Sequence, residues 1–103
     1  MYLVTSAIYE DMANLLLEEI GDTSYFSGFV ESAFIDDLGQ NVECRFVASL
    51  VVYRRDHSAP DGDTELISNI VPVWSEFHTF VEMEEKINDF DFEELKSYIC
   101  RWN

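Results

Sequence analysis

Between residues 6 and 20 apolar side chains recur every three or four positions, with Ile8, Met12, Leu15, Leu16 and Ile20 on one stripe and Glu10, Asn14 and Glu18 off it. That spacing predicts an amphipathic helix. Thr5 or Ser6 is placed to cap its start, and Gly21 to stop it.

Beyond Gly21 the hydrophobic period shortens. Residues 24 to 34, 42 to 55 and 67 to 82 are rich in Val, Phe, Tyr, Trp and Ile, and are parted by "DDLGQN" and "DHSAPDGDTE", both dense in turn formers. Three strands joined as antiparallel neighbours follow from this pattern. A last helical stripe, Phe92, Leu95, Ile99 and Trp102, comes after Asp91, which suits an N-cap. Glu94, three residues on, gives the pattern of a capping box, and Phe90 with Leu95 that of a hydrophobic staple. Acid at the start of this segment, with Lys96 and Arg101 towards its end, matches the helix dipole. The predicted fold is therefore α+β: a two-layer α-β-β-β-α domain over residues 1–103, a three-stranded antiparallel meander with two helices packed on one face.

Side chains alternate across a sheet, so the choice of pairing decides which residues share a face. Opposite charges help to choose it. If Glu31 lies opposite Arg45, and Arg45 opposite Glu76, one face collects Phe26, Val30, Phe34, Val42, Cys44, Phe46, Ala48, Leu50, Val52, Val71, Val73, Phe77 and Val81, a core fit for the helix stripes. The reverse face then carries Tyr25, Phe29, Val47, Val51, Tyr53, Ile70, Trp74 and Phe80 around the row Glu31, Arg45, Glu76, with His78 beside Glu43 at its border. No further element is left to cover those aromatics, and uncovered apolar patches of this size mark interfaces. A homodimer or a protein partner on this side is the expectation. Two alternatives are that the N-terminal "MYLV" or the loops fold over the patch, or that Pro72 bulges the third strand and changes the register.

Charge narrows the ligands. The chain has 103 residues, 48% of them hydrophobic, with 21 Asp and Glu against six Lys and Arg, a net charge of −15. Such a field repels polyanions, which excludes nucleic acid and anionic membrane surfaces as direct ligands. The apolar runs are too short to cross a bilayer. The N-terminus lacks the basic leading segment of a secretory signal, so a cytoplasmic protein is expected. Cys44 and Cys100 have no close spacing, and two separate buried thiols are the simplest outcome.

Candidate chemistry is sparse. Asp61, Asp63 and Glu65 alternate like the first ligands of a calcium loop, but Leu66 and Pro72 stand where Gly and Glu are required, and turn chemistry alone accounts for the loop. His78 could pair with Glu43 or Glu76 in an acid-base or metal site, yet His57 should lie near the opposite end of the second strand. A one-residue slip would set Cys44 against His78 as nucleophile and base, at the cost of turning the core outwards. No hydrolase, metalloprotease, nucleotide or dinucleotide motif is present, so no catalytic residue, metal ligand or cofactor is assigned.

The stretch "EMEEKINDFDFEEL", residues 82 to 95, holds seven carboxylates and one Lys. Asp91, Glu93 and Glu94 serve the helix start; Glu82, Glu84, Glu85 and Asp89 have no evident structural task. The α-β-β-β-α order resembles that of double-stranded RNA-binding domains. That resemblance implies phosphate binding by basic residues at the start of the second helix, where this chain reads "NDFDFEEL", the opposite charge. Two functions follow from the residues. One is a small acidic, non-enzymatic interaction module that offers Glu82, Glu84, Glu85 and Asp89 to a basic partner, masking a surface that otherwise holds nucleic acid. The other is a small-ligand or catalytic domain with a pocket on the reverse face, where Glu31, Arg45, Glu76 and His78 sit among Phe29, Tyr53 and Trp74.

Overall fold

The computed structural model describes residues 1–59 and 62–100, with side chains in the hairpin arm described outside 57–59 and 62–65. Among these residues the chain forms α1 (Ser6–Ile20), β1 (Tyr25–Ile35), β2 (Asn41–Ala59), β3 (Gly62–Val81), β4 (Glu84–Lys86) and α2 (Phe92–Ile99). The strands make one antiparallel sheet in the order β1-β2-β3-β4. The fold is α+β, and a short fourth strand extends the meander of three. Trp102 and Arg101, assigned to the end of the second helix, lie outside the described residues.

Each helix boundary has a local cause. Thr5 caps α1 by accepting from the Ile8 N–H, and Gly21 ends it at φ 55°, a left-handed conformation that suits glycine. Arg54, reaching over from β2, donates to the carbonyl oxygens of Gly21, at 2.9 Å, and of Thr23, tying the end of α1 to the sheet. At α2 the Asp91 carboxylate accepts from the Glu93 N–H at 3.2 Å. The return arm of a capping box is absent: the Asp91 N–H donates to the Tyr9 hydroxyl of α1 at 3.0 Å, leaving Glu94 exposed. A side chain from another helix has taken the place of the local glutamate.

The core lies between the helices and the even side chains of β2. Val42, Cys44, Phe46, Ala48, Leu50 and Val52 are all buried, together with Ile8, Met12, Leu16 and Ile20 of α1 and Leu95 and Ile99 of α2. Phe90 sits at an aromatic junction, its ring centroid 4.4 Å from Phe77, 5.5 Å from Phe46 and 5.6 Å from Tyr9. Tyr2 and Val4 pack against this same core, and Tyr2 pairs with Asn88. The N-terminal segment therefore lies on the helix side.

β1 and β2 pair as expected, with Glu31 opposite Arg45. The next ladder differs: Arg45 faces His78, and Glu76 faces Val47. Between Ser49↔Trp74 and Leu50↔Pro72 the register shifts, leaving Val73 as the extra residue of a bulge. The shift reverses the alternation of β3 between this bulge and the second shift beyond it. Val73 is thereby 65% exposed and Val71 is exposed too, while Ile70 is completely buried; the sequence reading, which carried one alternation through the whole strand, had these the other way round. Pro72 supplies the reason, since proline cannot donate to a ladder and is tolerated at bulges and on edges. A second shift, between Tyr53 and Arg54, lies beyond it, and Asn69 satisfies the Ile70 N–H with its own side-chain oxygen at 3.0 Å.

β3 and β4 are joined by a two-residue turn in which Glu82 and Met83 both have positive φ, 52° and 67°. These are the dihedral signs of the tight hairpin turn whose twist matches the strands, although neither residue is the usual Asn or Gly. Glu82 is held there by cross-sheet bonds: its N–H donates to the Asn41 carbonyl at 2.8 Å and its carboxylate accepts from the Asn41 N–H at 3.1 Å.

Two stability measurements check this architecture. Ile70→Ala is expected to cost about 2–5 kcal/mol and Val73→Ala less than about 0.5 kcal/mol in urea unfolding; a uniform alternation in β3 would reverse the ranking. Met83→Gly is expected to stabilise by about 1 kcal/mol by removing the Cβ from a left-handed position, read as a rise in the denaturation midpoint.

Candidate functional site

Because the helices cover one side of the sheet, the odd side chains of β1 and β2 project from the other. Across this helix-free face the ladders set Tyr25 beside Val51 and Val71, Phe29 beside Val47 and Glu76, and Glu31 beside Arg45 and His78. Tyr25, Phe29, Tyr53 and Trp74 are each about half exposed, Trp74 at 47%. No described helix or loop lies over them. Ser27 and Ser49, between these aromatics, hydrogen bond through their hydroxyls at 3.0 Å.

The charged row is built across all four strands. Arg45 donates to Glu31 at 3.1 Å, and its guanidinium carbon stands 5.6 Å from the centre of the Phe29 ring. Next in the row, His78 Nδ1 meets Glu85 of β4 at 2.8 Å and Nε2 meets Glu76 at 3.0 Å. An ionised carboxylate only accepts, so the protonated ring, with a donor on each nitrogen, is the form of His78 that satisfies both contacts at once. The hydrogen bonds to Glu85 and Glu76 raise the His78 pKa, against a smaller opposing effect of burial. They do so although Arg45, a like charge, faces His78 across the ladder. Glu43, the neighbour expected for His78, instead faces Phe80.

The four polar groups proposed for a pocket stand in one row but border two separate depressions. Glu31, Glu43 and Arg45 line one open depression of about 370 Å³, and Glu76, His78 and Glu85 border another of about 630 Å³. His57 pairs in backbone register with Thr64 near the hairpin tip, far along β2 from His78. Cys44 faces Thr79 on the helix side, and burial pushes its thiol up to about 11. The buried Thr79 hydroxyl lies close enough to act weakly against that rise, yet it makes no hydrogen bond of good geometry. Cys44 and Cys100 are both buried. Among the described residues no cluster of three or more His, Cys, Asp or Glu is arranged to hold a metal; the side chains of Asp61, Asp63 and Glu65 lie outside the described residues.

The acidic stretch is largely engaged at short range. Glu82 accepts from Asn41, Glu84 pairs with Lys86 at 3.2 Å, Glu85 holds His78, and Asp89 accepts from the Val4 N–H at 2.7 Å. Glu85 is the member that sequence reasoning did not connect to His78, because only the β3–β4 turn folds it back beside that ring. No helix among the described residues is long and apolar enough to cross a membrane.

The class defined by this fold and face is an α+β protein whose meander sheet is covered by helices on one side and carries an aromatic surface with a charged seam on the other. Comparison with known proteins finds no matching family, no similar curated protein and no similar solved structure.

The seam makes stability depend on pH. A raised folded-state pKa means the folded chain holds the His78 proton more tightly than the unfolded chain does, so the contribution is complete below the unfolded value near 6.5 and is lost as pH rises through the raised one. Wild type is therefore expected to exceed His78→Gln in stability at about pH 5.5 and to lose that margin in alkaline buffer. Paired urea titrations across this range measure it; a margin that grew with pH would contradict the imidazolium.

Proposed function

We propose that this chain is a non-enzymatic protein-interaction module that docks a partner on the helix-free face of its sheet. The observation that carries the reading is the open aromatic group Tyr25, Phe29, Tyr53 and Trp74, bordered by Glu31, Glu76 and Glu85. Half-exposed Tyr and Trp side chains on a rigid sheet are the residue types that become interface anchors. Carboxylates around them select a partner with an apolar centre and a basic rim. A net charge of −15 speeds the encounter with such a surface and makes it salt-sensitive. Basic surfaces of this kind are typical of proteins that hold nucleic acid, and this chain would mask one by occupying it. A homodimer packed face to face here would set the bordering carboxylates Glu31, Glu76 and Glu85 against their own copies, so the basic heterologous partner is the better supported occupant of this face.

Catalysis has less support. Both His78 nitrogens are occupied by carboxylates and the Cys44 thiol is sealed beneath the helices. A small-ligand site would need Glu31, Arg45, Glu76 and His78 around one concavity, whereas they border two.

The test compares wild type with Trp74→Ser/Tyr53→Ser, checked for unchanged circular dichroism, in affinity capture from cell extract. A basic protein held at low salt, released at raised salt and lost with the double variant is the expected result. Capture of nothing at either salt, or equal capture by both forms, would refute the docking face.

A further inference from the structure

The two edges of the sheet are finished differently, and the difference concerns a second surface, the backbone edge of β1, which adjoins the docking face and shares Tyr25, Phe29 and Glu31 with it. On the β3 side, β4 pairs with Thr79, Phe80 and Val81, the Asn88 side chain donates to the Phe77 carbonyl at 3.2 Å, and beyond them come Pro72 and the Val73 bulge. These are the usual means by which a sheet edge is closed to other strands. The β1 edge has none of them. It runs eleven residues, YFSGFVESAFI, with neither proline nor lysine and with one charge, Glu31.

The hydrogen-bond phase shows which groups of β1 point outwards. Val52 N–H donates to Ser24 carbonyl, and Asp36 N–H to Gln40 carbonyl. Both bonds continue the β1–β2 register at even positions of β1, so the even residues exchange bonds with β2 and the odd ones turn theirs away. The outward N–H groups of Ser27, Phe29, Glu31, Ala33 and Ile35 meet no partner among the described residues.

We propose that β1 pairs antiparallel with β1 of a second copy of this chain, about a two-fold axis through Val30. Paired groups must both point outwards, so odd residues meet odd residues and the axis falls on a single position. Centring on Val30 uses the whole strand: Tyr25 meets Ile35, Ser27 meets Ala33, and Phe29 meets Glu31, each pair exchanging two hydrogen bonds. Centring on Glu31 would oppose two like charges. Centring on Phe29 would leave Ile35, which is 70% exposed, without a partner strand. In the Val30 register each Glu31 keeps its own Arg45 while lying against the other copy's Phe29, and the exposed ends of β1, Tyr25 and Ile35, cover one another. The two sheets join into one, and their helix-free faces lie side by side.

Because each copy carries −15, this association is opposed by charge and strengthens with salt, the reverse of the basic-partner interaction. Sedimentation equilibrium over a concentration series, at low and raised salt, reads it directly. The expected result is a monomer–dimer equilibrium that tightens with salt, and a dissociation constant raised about tenfold or more by both Ala33→Pro and Ile35→Glu. The proline deletes an N–H that the β1–β2 ladder does not use; the glutamate, at an exposed position, adds a like charge to the seam and removes the cover of Tyr25, should the proline variant fold poorly. Amide exchange gives a second reading: even amides of β1 protected at every concentration, and Ser27, Phe29, Glu31 and Ala33 protected only where the dimer forms. A monomer at all concentrations and both salts, a dimer indifferent to both substitutions, or odd amides with the same exchange at every concentration would each overturn the proposal. Failure here leaves the Trp74/Tyr53 test untouched, since those residues lie on β2 and β3.

Discussion

Strand β2 runs through the middle of the sheet, and its even side chains from Val42 to Val52 are sealed beneath α1 and α2. Everything else in the molecule follows from that burial. With a side-chain period of two, dry even positions leave the odd ones on the opposite face. Two helices are enough to cover one side of the sheet, and the remaining described segments, including Tyr2 and Val4, are drawn to that same side. The aromatic face is open because no other apolar element among the described residues closes it.

The bulge at Val73 is how β3 keeps faith with that constraint. Phe77 and Val81 lie on the core side below it, and Ile70 lies on the core side above it, an odd and an even set that one continuous pleat cannot serve. Inserting one residue reconciles them, and Pro72 marks the place where the ladder could be interrupted. The same interruption coincides with the stretch that β4 does not reach, so the irregular part of β3 is also an edge. Packing and edge protection are thus met by one local feature, while β1, which packs regularly throughout, stays a plain edge.

Charge is organised in two layers. Close to the sheet the acids have specific partners: Glu31 with Arg45, Glu76 and Glu85 with His78, Asp89 with the Val4 amide. These exposed pairs add little to stability individually, but they fix the side chains that border the aromatic face. The net excess of carboxylates acts at longer range, so raised salt would weaken the proposed docking of a basic partner and strengthen the proposed pairing of two copies.

The helix limits at Ser6, Ile20 and Phe92, the dry even face of β2 and the Glu31–Arg45 pairing were legible along the chain, since each depends on residues close in sequence or on a strict alternation. The side that Val71, Val73 and Ile70 occupy was not, because one inserted residue inverts the assignments from there to the second shift, and only the facing strand shows where each insertion falls. Nor was the meeting of Glu85 with His78, or of Tyr9 with the Asp91 amide, since these join segments whose approach depends on a left-handed turn and on the docking of two helices. Local propensity and period settled which elements exist and which way β2 faces. Long-range packing settled how β3 adjusts to it and which charges meet, because those contacts are chosen by the shape of a shared core and not by neighbours in the chain.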